Sequence, residues 1–244
     1  MIHIFPASER HTIDLGWLRS QPLYSFGEYQ HADRNGFGVM RVCNDDYLAP
    51  GRGFGAHPHS DMEIVSIVLN GSIKHEDNLG NSVVTGFGEV QRMSAGSGVI
   101  HTEFNASETE EMRLLQLWFM PRERGLAPSY EAKKFNPDKL HNNLLPVVSG
   151  ESATIGSLEE IATINQDMTI YLSKLASGES LDVKTKQGRK LFLYTIEGRL
   201  SVADQLQDSG ELFLGTGDTS HIEDISELVL KASEDTFFML IDLP

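Results

Sequence analysis

Two short histidine motifs in the first half of the chain contain residue types that bind metal ions. His57 and His59 flank Pro58, and His101 stands two residues before Glu103. Side chains at alternate positions of an extended segment point to the same side, so each motif presents two ligands together. Three imidazoles and one carboxylate, without a thiolate, suit Fe(II), Mn, Co, Ni, Cu or Zn. We predict that His57, His59, His101 and Glu103 bind one divalent metal ion.

Glu63 is an alternative carboxylate ligand because it has the same strand parity as His57 and His59. The four residues from His59 to Glu63 would span about 13 Å in a straight strand, at roughly 3.3 Å each. Only a bulge or a sharp bend could return Glu63 to a metal ion held by His59, so we favour Glu103. Glu63 is then expected to hydrogen-bond a ligating imidazole.

Strand-like patterns surround these motifs and continue through the rest of the chain. Turn signals such as Asn35-Gly36, Asn70-Gly71 and Glu197-Gly198 separate short apolar or alternating runs. Helical periodicity is scarce, so the pattern predicts an all-β sandwich or barrel. The predicted strands are residues 37–42, 63–69, 112–120, 169–175, 190–196, 227–231 and 237–243.

The two halves of the chain contain the same motifs in the same order. Residues 64–73 precede a small-residue turn and His101-Thr102-Glu103, and residues 191–200 precede a similar turn and His221-Ile222-Glu223. This repetition indicates an internal duplication of one β-unit. The proline-rich stretch 121–146 interrupts every pattern. We predict an N-terminal domain over 1–135 that carries the metal site, a connection over 136–149 and a C-terminal domain over 150–244.

The second half departs from the metal pattern. Lys184 and Lys186 stand where the repeat would place His57 and His59. An ammonium group has no lone pair and cannot replace a neutral imidazole. His221 and Glu223 then have no partner ligands, so we expect the C-terminal domain to be structural and without metal.

Composition excludes several classes of protein. The chain has 35 acidic and 20 basic residues and a formal net charge of −15, which disfavours nucleic acids and anionic membranes as partners. Cys43 is the only cysteine, so an intrachain disulfide and a thiolate cluster are excluded. The sequence shows no signal peptide and no apolar run long enough to span a membrane. We expect a cytoplasmic monomer.

Other side chains near the motifs have less specific signals. His75 lies beside two acidic residues, just before the predicted hairpin Leu79-Gly80-Asn81, and we expect it to be exposed. Five large side chains flank the predicted site at strand spacing and are either plain core or the wall of a pocket for an aromatic substrate: Met40, Phe54, Met62, Met93 and Phe104.

Glycine positions around the histidines resemble the two motifs of the cupin superfamily, Gly-x5-His-x-His-x3-Glu and a glycine followed by His-x3-Asn. Gly51 and Glu63 complete the first motif, and Asn105 completes the second. Longer segments resemble the pirin family within that superfamily, densely over residues 10–135: Gly36-Phe37-Gly38-Val39-Met40-Arg41-Val42, Asn44-Asp45-Asp46, Gly55-Ala56-His57-Pro58-His59-Ser60-Asp61-Met62-Glu63, Gln91-Arg92-Met93-Ser94-Ala95-Gly96 and His101-Thr102-Glu103-Phe104-Asn105.

The resemblance implies a bicupin, with two antiparallel, jelly-roll-like β-barrels. It also implies one metal ion, usually iron, held by the residues matching His57, His59, His101 and Glu103. Bacterial members similar to this chain include quercetin 2,3-dioxygenases, which open a flavonol ring with O₂ and release carbon monoxide. We therefore expect a metal-dependent dioxygenase acting on a flavonol-like aromatic, with Glu103 as the base for a substrate hydroxyl. The alternative is a pirin-like regulatory protein that carries the metal, acts on a protein partner and has no turnover.

Overall fold

A computed structural model of the chain describes residues 1–150, 160–206 and 210–244. Strands dominate these residues, and the all-β prediction is confirmed. The helical elements described are two short 3-10 helices, Ala7–Glu9 and Pro137–Leu140. The strands are β1 (Ile2–Phe5), β2 (Ile13–Asp14), β3 (Leu18–Pro22), β4 (Met40–Leu48), β5 (Gly53–His59), β6 (Glu63–Asn70), β7 (Ser72–Asp77), β8 (Ser82–Gly86), β9 (Glu89–Ser94), β10 (Val99–Asn105), β11 (Met112–Phe119), β12 (Ser129–Lys134), β13 (Leu145–Ser149), β14 (Ala162–Thr163), β15 (Thr169–Leu175), β16 (Ser180–Lys184), β17 (Lys190–Glu197), β18 (Leu200–Asp204), β19 (Leu212–Leu214), β20 (Thr219–Glu223), β21 (Glu227–Ala232) and β22 (Thr236–Leu243).

Six of the seven predicted strands coincide with β6, β11, β15, β17, β21 and β22 to within one residue at each end. The remaining one is shifted, because β4 begins at Met40 and not at Phe37. Phe37 and Met40 exchange backbone hydrogen bonds of 3.0 and 2.9 Å around Gly38, whose φ of 55° is in the left-handed region. Residues 37–39 therefore form a tight turn, and the strand continues instead through three buried polar residues, Asn44, Asp45 and Asp46.

The chain divides into two compact units, each built from more than one stretch of sequence. One comprises His11–Phe135 and Val148–Asp167 and is called the site unit below. The other comprises Met1–Arg10, Asn136–Val147 and Met168–Pro244 and is called the second unit. No helix in the described ranges is long and apolar enough to cross a membrane.

The site unit has a jelly-roll-like arrangement of two sheets. Its larger sheet has the order β12-β9-β6-β11-β4-β3-β2, and its smaller sheet has the order β5-β10-β7-β8. An apolar cluster joins Ile73 of the smaller sheet to side chains of the larger one, Leu18, Leu48, Val68, Met112 and Leu114. Directly paired residues of antiparallel strands face the same side of a sheet. His101 pairs with His57 of β5 and with Asp77 of β7, so the polar residues of these three strands share one face.

The second unit repeats this strand order. Its larger sheet contains β20-β17-β22-β15-β13, which corresponds to β9-β6-β11-β4-β3, and its smaller sheet is β16-β21-β18-β19. The internal duplication is therefore visible in topology. The alignment of individual residues by sequence was wrong in one respect, because His221 lies in β20, the counterpart of β9, whereas the counterpart of β10 is β21. Strand β21 contains no histidine.

Candidate metal centre

Strands β5 and β10 place three histidines together at the edge of the smaller sheet. The strands are antiparallel, with His57 opposite His101 and His59 opposite Val99. Potential ligand atoms of His57, His59 and His101 all lie within 4.8 Å of one another. The register shifts between His101 and Glu103, which marks a bulge in β10.

The ring of His57 is oriented by its own strand. Its Nδ1 lies 2.7 Å from the carbonyl oxygen of Gly55. A carbonyl oxygen only accepts, so Nδ1 carries a hydrogen, and in the tautomer that binds a metal ion Nε2 has the lone pair. That Nε2 lies 3.1 Å from Nε2 of His101. The lone pair of His57 therefore points to the space between the two rings.

Burial keeps the other two rings neutral. It lowers the pKa of His59 to about 4, with a further contribution from the neighbouring His57. It lowers the pKa of His101 to about 3, again helped by His57 and His59. Metal ligation requires deprotonated imidazole nitrogen, so these rings do not need to lose a proton near pH 7 before they bind an ion.

Glu103 is buried, and its carboxylate receives hydrogen bonds from three side chains of the larger sheet. Gln91 Nε2 donates at 2.6 Å, Gln116 Nε2 at 2.8 Å and Ser66 Oγ at 3.3 Å. The three donors occupy directly opposed positions on β9, β6 and β11. Burial raises the pKa of Glu103 to about 7 against these hydrogen bonds. Ligand atoms of Glu103, His101 and His75 form a second group within 4.8 Å.

Glu63 is also buried, but its hydrogen-bond partners are Ser94 and Asn165. Ser94 Oγ donates to Glu63 at 2.8 Å, and the backbone N–H of Asn165 donates at 3.2 Å. Among the described residues no imidazole hydrogen-bonds Glu63, so the expectation that it supports a ligating histidine is wrong. It instead connects β6 and β9 to residues near the end of the site unit.

His75 is a functional candidate that the sequence analysis placed incorrectly. It was expected at an exposed hairpin, but its relative exposure is 1%. Its Nε2 lies 2.9 Å from Asp77 Oδ2, and its Nδ1 lies 3.3 Å from Nδ1 of His101. The alternation of inward-facing and outward-facing side chains along β7 predicts that His75 is buried. Ile73 is an apolar residue that must face the core, and His75 and Asp77 share its parity.

A cavity of about 410 Å³ adjoins the three histidines. Trp17, Phe26, Phe54, Ile64 and Trp118 supply most of its apolar wall. Phe54 is therefore a wall residue, whereas Met40 and Met93 are buried core. The volume is within the range of roughly 300–1,000 Å³ that is typical of small-molecule sites.

The donor set of this centre fits a divalent metal ion. His57, His59 and His101 offer imidazole nitrogens within 4.8 Å of one another, Glu103 offers a carboxylate next to His101, and a cavity adjoins these residues. Three nitrogens with one oxygen is a combination that first-row divalent metals accept. The structure groups the three predicted histidines with one another, and it groups Glu103 with His101 and His75.

Comparison with known proteins gives matches along the whole chain. A family model described as "Pirin" matches residues 6–119, and one described as "Quercetinase C-terminal cupin domain" matches residues 152–243. The chain is 36% identical to a protein of Escherichia coli strain K12 named quercetin 2,3-dioxygenase, over 100% of this chain and 99% of that protein. It is 35% identical to a "Pirin-like protein" of Caulobacter vibrioides, over 94% of both chains.

Solved structures agree with these matches. A bacterial pirin from Escherichia coli, described in complex with nickel(II), superposes with a TM-score of 0.89 at 36% identity, over 100% of this chain and 99% of that one. Similarity of this extent in sequence and structure covers both units. The chain belongs to the pirin family of cupin proteins.

Proposed function

We propose that this protein is a metal-dependent dioxygenase that opens the ring of a flavonol such as quercetin with O₂ and releases carbon monoxide. The observation that carries the proposal is the convergence of three imidazoles on a largely apolar cavity large enough for an aromatic substrate. The related Escherichia coli protein named quercetin 2,3-dioxygenase supports the same activity.

In this proposal His57, His59, His101 and Glu103 hold the metal ion, and Fe(II) is the native one. A related bacterial pirin is described in complex with nickel(II), which supports a divalent ion as the cofactor. A bound ion of this type supplies Lewis acidity and the redox chemistry with O₂. The imidazoles contribute nitrogen donors, and the hydrogen bond from His57 to Gly55 holds one of them in orientation.

Glu103 is the group that accepts the proton of a substrate hydroxyl. Burial raises the pKa of Glu103 to about 7 in the metal-free protein, so its carboxylate accepts a proton more readily than an exposed one. Gln91 and Gln116 donate to its two oxygens and keep the carboxylate plane fixed while the proton moves.

The cavity also contains polar atoms that have no hydrogen-bond partner among the described residues. Asn44 Oδ1, Asp46 Oδ1 and Trp118 Nε1 are buried and lack a hydrogen bond, and all three residues line the cavity. An unpaired buried polar group costs roughly 1–3 kcal/mol, so a ligand that pairs with it gains binding energy. A polyhydroxylated aromatic offers hydroxyl donors to the two oxygens and an acceptor to the indole N–H.

The test is turnover of quercetin by protein that has been stripped of metal and then reloaded with Fe(II), Mn, Co, Ni, Cu or Zn. We expect O₂ consumption, loss of flavonol absorbance and carbon monoxide release with at least one ion. His101→Ala should lose metal and turnover together, since it removes the ring that faces both His57 and Glu103.

His11→Ala is the matched control, because it deletes an exposed imidazole of the same unit. It should retain both metal and turnover. If the wild-type protein binds one ion per chain and turns over no flavonol with any of the six metals, the dioxygenase proposal is wrong. Capture of a stoichiometric protein partner would then favour the regulatory alternative.

A further inference from the structure

We propose that His75 and Asp77 form a buried relay that fixes the tautomer of His101, so that Nε2 of His101 is always available to a metal ion. The two residues are positioning residues, since they act through His101. The inference deepens the proposed function by explaining how one ligand is prepared, and it rests on His101 being a ligand.

Asp77 determines the direction of every hydrogen bond in the relay. Its Oδ1 accepts from the backbone N–H groups of Leu79 at 2.9 Å and Asn81 at 3.0 Å. Its Oδ2 accepts from Asn81 Nδ2 at 2.8 Å and lies 2.9 Å from His75 Nε2. Three of these four partners can only donate, so the carboxylate is an acceptor at both oxygens.

The tautomers follow one from the next. Since Asp77 accepts, His75 carries its hydrogen on Nε2 and has a lone pair on Nδ1. His75 Nδ1 lies 3.3 Å from His101 Nδ1, so His101 must carry its hydrogen on Nδ1 to complete the contact. His101 Nε2 is left with a lone pair, which faces the lone pair of His57 Nε2 at 3.1 Å. Two lone pairs at this distance repel each other unless a cation binds both nitrogens, so the relay holds the two rings in the state that a metal ion requires.

The surroundings of the relay prevent it from rearranging. The side chains of His75 and Asp77 are 1% and 0% exposed, so water cannot take over either hydrogen bond. The ring of His75 also stacks on Tyr130, with centroids 4.2 Å apart and planes at 15°. Tyr130 is itself held by a hydrogen bond from its hydroxyl to Gln91 Oε1 at 3.0 Å.

Asp77→Asn keeps the size and shape of the side chain but reverses the donor and acceptor roles along the relay. The amide oxygen will face the two backbone N–H groups, because the opposite orientation sets an NH₂ group against two fixed donors. The new NH₂ group takes the place of Oδ2, which also faces the Asn81 side chain, so the Asn81 amide must flip to present its oxygen. The NH₂ group then donates to His75 Nε2, and the hydrogen of His75 moves to Nδ1. His101 Nδ1 must now accept, its hydrogen moves to Nε2, and the metal-facing nitrogen has no lone pair.

The experiment measures nickel(II) binding to the full-length protein and the tautomer of each ring. The nickel dissociation constant is obtained by competition with a chelator, and ¹⁵N chemical shifts of the histidine side chains report which nitrogen is protonated in metal-free protein. We expect Asp77→Asn to weaken nickel binding by ~10- to 100-fold, the usual effect of losing a hydrogen-bond partner behind a ligating histidine. We also expect His101 to change from the Nδ1–H to the Nε2–H form.

Glu76→Gln is the matched control. It removes the same charge from the neighbouring position of β7, but the Glu76 side chain is half exposed and bonds with Lys74 and Ser82. Nickel affinity should stay within twofold of wild type. His75→Phe is a second variant, because it keeps the ring on Tyr130 and removes the acceptor for His101. It should weaken nickel binding like Asp77→Asn, and it decides the question if Asp77→Asn does not fold.

Unchanged nickel affinity in folded Asp77→Asn or folded His75→Phe, with His101 still protonated on Nδ1, would overturn the relay. Neither readout involves a flavonol. Absence of quercetin turnover in the wild type would therefore reject the proposed activity and leave the relay to be judged by nickel affinity alone.

Discussion

Asp46 is a buried acid on the cavity wall, and its environment opposes ionisation. Burial raises its pKa from 3.8 to about 7, and the nearby acids Asp45 and Glu103 add to the effect. The folded protein therefore binds a proton more strongly than the unfolded chain between pH 4 and 7. In this interval the contribution of Asp46 to the stability of the metal-free protein should fall as the pH rises, by up to about 1.4 kcal/mol per pH unit. Histidines whose pKa is lowered by burial, such as His59 and His101, contribute with the opposite sign.

Asp46→Asn tests this linkage because an amide has no proton to lose. Glu103 has a raised pKa as well and contributes with the same sign. The other titrating groups are common to both proteins, so the difference in unfolding free energy between wild type and variant isolates Asp46. The unfolding free energy of the wild type relative to the variant should fall from pH 4 to 7. Urea unfolding of both metal-free proteins at a series of pH values measures it. Identical slopes would show that Asp46 does not titrate in this range.

Glu103→Gln should affect both stability and turnover. The donors to Glu103 are fixed in direction, because Gln116 Oε1 accepts from Ser66 and Gln91 Oε1 accepts from Tyr130. A glutamine at position 103 places an NH₂ group against one of two NH₂ groups. We expect a loss of about 1–3 kcal/mol of unfolding free energy in the metal-free protein. Without a proton acceptor, kcat should fall by about 10²-fold or more. Full kcat in this variant would assign the base to another group.

Strand β5 can approach β10 closely only because residue 53 is a glycine. A Cβ atom at Gly53 would lie 2.1 Å from the Glu103 carbonyl oxygen and 2.5 Å from Phe104 Cα. Gly53→Ala must therefore push β5 away from β10 and separate His57 and His59 from His101. We expect a lower melting temperature and nickel binding weakened by tenfold or more, since ligand spacing is set by this pairing.

Gly55→Ala is the matched control on the same strand. A Cβ atom at Gly55 meets nothing within 4 Å, and its carbonyl oxygen remains available to His57. This variant should melt close to wild type and retain nickel affinity. If both alanine variants behave alike, the close approach of β5 and β10 is not what fixes the ligand spacing.

The period of two explains which parts of the site were predictable. Alternation alone placed His57 with His59 and His101 with Glu103, and the structure brings the three histidines together. The same rule applied to β7 would have buried His75, but two adjacent acidic residues suggested an exposed turn. The charge of Asp77 is compensated by four hydrogen bonds. Such compensation depends on folded neighbours and has no local sequence signal.

The extent of strand β4 was predicted incorrectly for the same reason. Its buried acid Asp45 is neutralised by Arg113, which is distant in sequence and donates to both carboxylate oxygens at 3.0 and 2.8 Å. Apolar periodicity detects strands whose inner face is apolar, as in β17 and β22. It fails where the inner face is a functional cavity that needs polar side chains, and Asn44 and Asp46 line that cavity.

At the scale of the whole molecule, the two duplicated units share their strand order but not the potential metal ligands. Strand β21 corresponds to β10 but has the sequence Glu-Leu-Val-Leu-Lys-Ala, and its inner positions are filled by apolar side chains such as Leu228 and Leu230. Strand β16 corresponds to β5 and ends at Lys184. The second unit thus has a packed apolar core in the place where the site unit has its cavity.

His221 and Glu223 of the second unit have other roles. The His221 ring packs on Phe5 with centroids 4.5 Å apart, and Glu223 forms an ion pair with Lys190. No cluster of three ligands was found among the described residues of this unit. We therefore expect one nickel ion per chain by elemental analysis, unchanged in His221→Ala and absent in His101→Ala. A second equivalent of nickel that His221→Ala removes would show that both copies of the duplicated β-unit had kept a metal site.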